Sequence, residues 1–134
     1  MTAVSTRVQR ITADRLALLV TLIALATIGA GLAQVVVPGL FLDILDAENT
    51  ETTRYFFAIV GMFMAVIGGA VVHAMLDDED HPIVILWAGI QKLGAVIAVG
   101  GAVILGIFSG LALIIVAFDA TATVINLMYW RRIR

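Results

Sequence analysis

Long apolar runs separated by short polar segments dominate the sequence. Four runs, at about 16–37, 54–76, 83–105 and 111–130, come close to the roughly 20 residues that a helix needs to cross a bilayer core about 30 Å thick. Most charged positions fall between the runs or at their edges, as expected for segments immersed in lipid. The pattern predicts an all-α, polytopic membrane protein: one domain of 134 residues that forms a four-transmembrane-helix bundle.

The first connection carries signals for a helix end, a short helix and a new helix start. Pro38–Gly39 ends the first run, because proline restricts the residue before it and glycine lets the chain turn. Residues 40–45 are too few to span and mix apolar with polar side chains, which predicts a short interfacial helix after the first span. Asn49 or Thr50 then suits the N-cap of the second span.

The acidic segment between spans two and three is the sharpest change in composition. Asp77–Asp80 could offer hard oxygen ligands to a divalent cation, with His81 beside them. The segment lacks the glycine turn and spacing of a calcium loop, so we favour a solvated connector. His73 and His81 have too few neighbouring ligands for haem or a metal. We therefore predict no metal site and no cofactor, and Pro82 suits the first turn of span three.

Small residues recur every four positions in spans two and three. A face lined with small side chains lets a neighbouring helix approach closely. The connection at 106–110 is so short that spans three and four must be antiparallel neighbours. We expect the bundle to pack through two helix-packing grooves, formed by Gly61, Ala65 and Gly69 and by Gly94, Ala98 and Ala102.

Spans three and four each carry one ionisable residue at membrane depth, Lys92 and Asp119. A charge there costs about 2.5 to 3.5 kcal/mol on insertion scales, so both side chains should face protein or water. Counting residues from the middle of the loop, at about 1.5 Å per residue, places Lys92 and Asp119 about 7 Å apart along the helix axes. A direct bond between them is therefore neither required nor excluded. Without it, Asp119 could be protonated or bond the polar side chains of neighbouring positions, and Lys92 could reach the acidic loop. Those neighbouring positions are Thr121, Thr123 and Gln34.

Arginines mark both ends of the chain. The two tails carry six, whereas the 38–53 connection carries none before Arg54 and the 106–110 connection carries none. The positive-inside rule predicts that both tails are cytoplasmic in the plasma membrane. Residues 2–15 fit either a helix in the headgroup layer or a frayed basic tail. A cleaved secretory signal is the less favoured interpretation of the first run, which is long for one.

Composition narrows the classes of function further. Hydrophobic residues make up 62% of the chain, above the roughly 45 to 50% of soluble domains. The absence of cysteine excludes disulfides, thiolate metal sites and a cysteine nucleophile. No nucleotide-binding glycine motif and no Ser/His/Asp set is present, and the few basic residues lack the interleaved aromatics of nucleic-acid binders. An enzyme acting on a quinone or another lipid-soluble substrate is only a third alternative.

Several of these features together resemble a known group of small membrane proteins. An arginine opens span two, glycines follow, an acidic turn ends in proline, and spans three and four carry opposite charges: Arg54, Gly61, Gly68, Gly69, Pro82, Lys92 and Asp119. This arrangement resembles the four-span DoxX-like and BphX-like proteins, although Val72-His73 stands where a tyrosine is expected. The resemblance implies four helices and no particular activity; some members of the group resemble accessory subunits of membrane redox systems. A small multidrug exporter is disfavoured because the first span has no glutamate.

Two functions of different classes follow from the sequence. The first is a non-enzymatic accessory or scaffold protein, which associates with itself or with a larger membrane complex through a glycine-lined face. The second is a small transporter or proton-coupled carrier that uses the intramembrane Lys92 and Asp119, since ionisable groups at membrane depth often mark ion pathways. Under both hypotheses we expect the protein to lie in the lipid bilayer, and we do not expect it to bind nucleic acid.

Overall fold

The computed structural model describes residues 2–134 and is helical throughout, without strands in that range. Four helical segments, of 22 to 26 residues, are long and apolar enough to cross a membrane. The predicted all-α four-helix bundle is therefore confirmed, and the chain is a multi-pass membrane protein by the length and composition of these helices. The α-helices are α1 Ala3–Ala13, α2 Arg15–Val36, α3 Pro38–Ile44, α4 Glu51–Leu76, α5 Pro82–Ile104 and α6 Leu113–Ile133, with a 3-10 turn at Gly110–Ala112.

Local chemistry fixes where the spanning helices begin and end. Thr50 caps α4 in a capping box, since its Oγ1 accepts from the Thr53 N–H at 3.2 Å and its own N–H donates to Thr53 Oγ1 at 2.8 Å. Pro82 opens α5, where its missing N–H costs no hydrogen bond. Gly106 ends the last turn of α5 with φ of 71°, and the Ile107 N–H donates to the Ala102 carbonyl at 2.8 Å.

The N-terminal residues form a helix rather than a frayed tail. The Thr2 side chain caps α1 by accepting from the Ser5 N–H, and Ile11 inserts its side chain into the core of the bundle. Asp14 ends α1 and caps α2, because its carboxylate accepts from the N–H groups of Leu16 and Ala17. The single residue between the two helices makes α1 a cap across one end of the bundle.

The four spans associate mainly as two pairs, α2 with α4 and α5 with α6. The α2 and α6 helices also touch, whereas α4 and α5 share a smaller contact. Ile85 and Val20 are the largest fully buried side chains, and Tyr129 and Met75 complete the core near α1.

The bundle has two distinct ends. We call the end that carries α1, residues 77–81 and the last turn of α6 the tail end, and the end that carries residues 37–50 and 105–112 the loop end. At the loop end the Ser109 N–H donates to the Leu45 carbonyl at 2.8 Å, which ties the two connections together. At the tail end Arg7 and Arg132 bond carboxylates of other elements.

Candidate functional site

Lys92 and Asp119 form a direct ion pair in the interior. Lys92 Nζ donates to Asp119 Oδ1 at 2.8 Å, and the two residues are only 4% and 5% exposed. The ring of Phe118 lies beside the ammonium, with 5.2 Å from Nζ to the ring centroid. The pair thus joins α5 to α6, and both charges are buried inside the bundle.

The alternative partners considered for Asp119 do not bond its carboxylate. Thr121 and Thr123 donate their hydroxyls to backbone carbonyls of their own helix, those of Ala117 and Asp119. Gln34 lies beside Gly61, and its Oε1 is buried without a hydrogen-bond partner among residues 2–134. Lys92 bonds the carboxylate instead of reaching toward the acidic loop.

Further polar groups surround the ion pair. Thr27 on α2 and Asn126 on α6 are both 3% exposed, and Asn126 lies on the same face of α6 as Asp119 and Thr123. The Oδ1 of Asn126 and the Oε1 of Gln91 are buried and accept no hydrogen bond in the part of the chain that the structure describes. The interior of the bundle is therefore a polar cluster rather than one isolated pair.

The space beside this cluster is small. The cavity that touches Lys92, Gln91 and Asn126 has a volume of about 10 Å³. That is about the volume that one water probe occupies, so the cavity has no room for an organic molecule. The arrangement can hold a charge pair and at most one water, and it offers two free acceptor atoms to that water's hydrogens.

The first predicted groove receives α2. A Cβ added at Gly61 would lie 2.5 Å from the carbonyl oxygen of Gly31 and 2.7 Å from Gln34 Cβ, and one at Gly68 would lie 2.9 Å from the Ala24 carbonyl. Only glycine permits backbones to approach so closely. Gly31 and Gly61 face each other, and a Cβ added at Gly31 would also lie 2.8 Å from the backbone nitrogen of Ala65.

Two glycines of the predicted helix-packing set, Gly69 and Gly94, have no close neighbour within residues 2–134. A Cβ added at Gly69 or Gly94 would meet no atom within 4 Å among the described residues. Gly94 and Ala98 are exposed, and Ala102 is half-buried. The expectation that α5 packs through its groove within the bundle is therefore wrong, because α5 turns the opposite face, with Ile85, Gly89 and Lys92, toward α6 and the core.

Polar side-chain contacts hold the acidic loop, one within the loop and one with α1. His81 Nε2 lies 2.6 Å from Asp77 Oδ2, and Arg7 Nη2 lies 3.3 Å from Asp80 Oδ1. The hydrogen bond from His81 holds the pKa of Asp77 below its usual value of 3.8. No group of three or more His, Asp or Glu side chains that could hold a metal ion occurs within residues 2–134.

A second ion pair joins the first residues of the bundle to the last. Arg132 Nη1 donates to Asp14 Oδ1 at 3.1 Å, and Nη2 bonds the other carboxylate oxygen, so the pair is bidentate. This bond to Arg132 holds the pKa of Asp14 below 3.8, although partial burial opposes the shift. The Arg132 guanidinium also lies 4.9 Å from the Tyr129 ring centroid.

Sequence reasoning named Lys92, Asp119 and Thr123 but missed the other polar residues of the cluster, which are Thr27, Gln91 and Asn126. Thr123 and Asn126 follow Asp119 by four and seven positions, the spacing of one helix face, and this spacing was the available signal. Thr27 and Gln91 gave no such signal, because single polar residues in apolar runs also occur at lipid-facing positions.

No family model, curated protein or solved structure matches the chain.

Proposed function

We propose that this protein is a non-enzymatic accessory or scaffold subunit, which binds a second copy of itself or a larger membrane complex through the outer face of α5. Its place is the plasma membrane, with the tail end in the cytoplasm, and the resemblance to the DoxX-like group is part of the same proposal. The single observation that carries it is the open small-residue face formed by Gly94, Ala98 and Gly101.

The same chemistry already joins two helices elsewhere in this molecule. On α2 and α4, opposed glycines bring two backbones into contact. On α5, Gly94 and Gly101 have open space beside them, and larger apolar side chains rise on either side: Leu93 is 46% exposed and Ile97 is 68% exposed. Lipid tails fill such a groove poorly, and a helix backbone fills it well, so the face favours a protein neighbour.

Association can be measured on protein extracted in mild detergent, by native mass spectrometry. Gly94→Leu would fill the groove and is expected to convert an oligomer or complex into the free monomer, while the helical circular dichroism of the protein stays unchanged. Ala120→Leu is the matched control, because Ala120 is an exposed small residue of α6. A strict wild-type monomer without a co-purifying partner would contradict the proposal.

The proposed orientation is testable because the chain has no cysteine of its own. Glu48→Cys places a thiol at the loop end and Glu79→Cys places one at the tail end, and both positions are exposed. A membrane-impermeant maleimide added to intact cells should label only the Glu48→Cys variant. Labelling of Glu79→Cys alone would reverse the orientation.

A proton-coupled carrier is the second candidate function. The buried Lys92–Asp119 pair and the unpaired acceptors of Gln91 and Asn126 favour it, because a relay needs ionisable groups in contact with exchangeable protons. The cavity of about 10 Å³ restricts such a carrier to protons or to a conformation with a wider path. Proteoliposome flux that is unchanged in the Asp119→Asn variant would dismiss this candidate.

A further inference from the structure

A cavity of about 250 Å³ opens at the tail end, where α1 crosses the ends of the spans. The polar part of its wall carries three arginines, two aspartates, one histidine and one tyrosine: Arg7, Arg10, Arg132, Asp14, Asp80, His81 and Tyr129. Its deeper wall is apolar and includes Ile11, Met75 and Ile85, which are all buried. The cavity therefore joins a charged rim to an apolar floor.

The charges of the rim do not cancel. Arg7 bonds Asp80, and Arg132 bonds Asp14 in a bidentate pair, so each carboxylate already has a guanidinium. Arg10 is the third guanidinium, and it bonds no carboxylate within the described residues. One positive charge thus faces the cavity without a counter-charge, which suits a ligand with a single negative charge.

Neighbouring contacts hold the rim in place. Ile11, next to Arg10, is anchored in the core, and the Arg7 side chain also donates to the Asp77 carbonyl. These contacts fasten α1 to the acidic loop and to the core of the bundle, so Arg10 lies on a fixed helix. Because the helix beneath the exposed Arg10 is held, only the arginine side chain has to be ordered when an anion binds.

We propose that this cavity binds a monoanionic phosphate ester, and that the phosphate belongs to the headgroup of an anionic membrane lipid. The tail end lies where the apolar spans stop, which is the level of lipid headgroups. The apolar floor suits the glycerol and the first methylenes of such a lipid. A volume of 250 Å³ holds a headgroup and not a whole lipid, so the acyl chains remain in the bilayer.

The experiment titrates detergent-solubilised protein with phosphatidylglycerol and counts retained lipids by native mass spectrometry. Phosphatidylcholine, which has the same phosphate but no net charge, and inorganic phosphate are the comparison ligands. We expect one retained phosphatidylglycerol per chain, and Arg10→Gln should weaken its retention about tenfold, the effect of one charge-assisted bond. Arg15→Gln is the matched control, because Arg15 lies at the same end and outside the cavity wall.

A second variant tests the cavity without changing any charge. Ala74→Leu adds three carbons to the wall and should reduce phosphatidylglycerol retention while the helical circular dichroism stays unchanged. Equal losses in Arg10→Gln and Arg15→Gln would overturn the proposal in favour of diffuse surface attraction. Equal retention of phosphatidylcholine would overturn it as well. Displacement of the lipid by millimolar inorganic phosphate would assign the cavity to a soluble anion instead.

Discussion

The two helix pairs of this bundle are held together by different means. Between α2 and α4 the contact is made by bare backbone, where Gly31 faces Gly61. Between α5 and α6 it is made by a buried charge pair, Lys92 and Asp119, at 2.8 Å. Helices in lipid gain little from burying apolar surface against each other, so association relies on close packing or on polar bonds. This molecule uses one of these in each pair.

The difference also determines which substitutions each helix pair tolerates. The glycine contact depends on shape, and an added methyl group disturbs it. The ion pair depends on both partners, because one charge left alone at that depth is costly, whereas an apolar pair at the same positions can be tolerated. The two pairs therefore respond differently to substitution, and three experiments measure that difference.

Loss of one partner of the ion pair should have the largest effect. Lys92→Met leaves an unpaired carboxylate and Asp119→Asn leaves an unpaired ammonium. Breaking a buried pair in this way costs about 3 to 5 kcal/mol. Each variant should lose that much free energy of unfolding, measured by denaturant titration in mixed micelles.

The double variant Lys92→Met/Asp119→Asn decides whether the two residues are coupled. It leaves no lone charge, so its loss of unfolding free energy should be clearly smaller than the sum of the single losses. A loss equal to that sum would refute the coupling. The polar cluster would then have to hold each charge separately, through Asn126 and Gln91.

Disturbing the glycine contact should have an intermediate effect. A methyl group at Gly61 meets the Gly31 backbone at 2.5 Å, and backbone cannot move aside as a side chain can. Overpacking of this kind costs about 1 to 3 kcal/mol, so Gly61→Ala should lower the thermal unfolding temperature.

The control for this experiment lies on the same helix. Gly69→Ala places its methyl in open space and should be neutral or slightly stabilising, since alanine favours helix over glycine. Similar destabilisation by both variants would mean that α4 does not rely on close backbone contact with α2.

Acid should have the smallest effect on stability, through the bond that joins α2 of one helix pair to α6 of the other. Asp14 at the start of α2 bonds Arg132 at the end of α6, and its pKa in the folded state is below 3.8. The bond therefore contributes stability at pH values above 3.8, and this contribution is lost as the pH falls through the lowered pKa. The Asp14 side chain is 36% exposed, so water screens the pair and keeps the effect small.

Thermal unfolding between about pH 5 and pH 2 measures this loss. Asp14→Asn keeps the side-chain oxygen that caps α2 and removes the titrating group. Its unfolding temperature should fall less steeply with acid than that of the wild type. Parallel curves for the variant and the wild type would show that the bond to Arg132 contributes nothing. The fall that remains in the Asp14→Asn variant reports the protonation of the other carboxylates, including Asp77.

Much of the architecture could be predicted from the sequence, because it depends on local chemistry. Run length predicts the four spans, Pro82 predicts the start of α5, and Thr50 was one of two proposed caps for α4. These features need only the residues nearby. Which face of a helix meets which neighbour depends on residues far along the chain, and there the spacing alone was insufficient.

The two predicted grooves illustrate that limit. The one on α4 and the one on α5 have the same four-residue spacing. Gly61 and Ala65 of the first lie against Gly31, whereas Gly94 of the second has no neighbour within 4 Å among the described residues. α5 turns the opposite face toward the core, the face with Ile85, Gly89 and Lys92, and Lys92 bonds Asp119 there.

The bond between Asp14 and Arg132 also bears on biogenesis. Asp14 precedes the first span, and Arg132 follows nearly all of the last one, 118 positions later. During synthesis from the N-terminus, the ribosome releases Arg132 only after every span has been made. The closure of this end is thus completed last, and a chain truncated before α6 would lack the bond between Asp14 and Arg132.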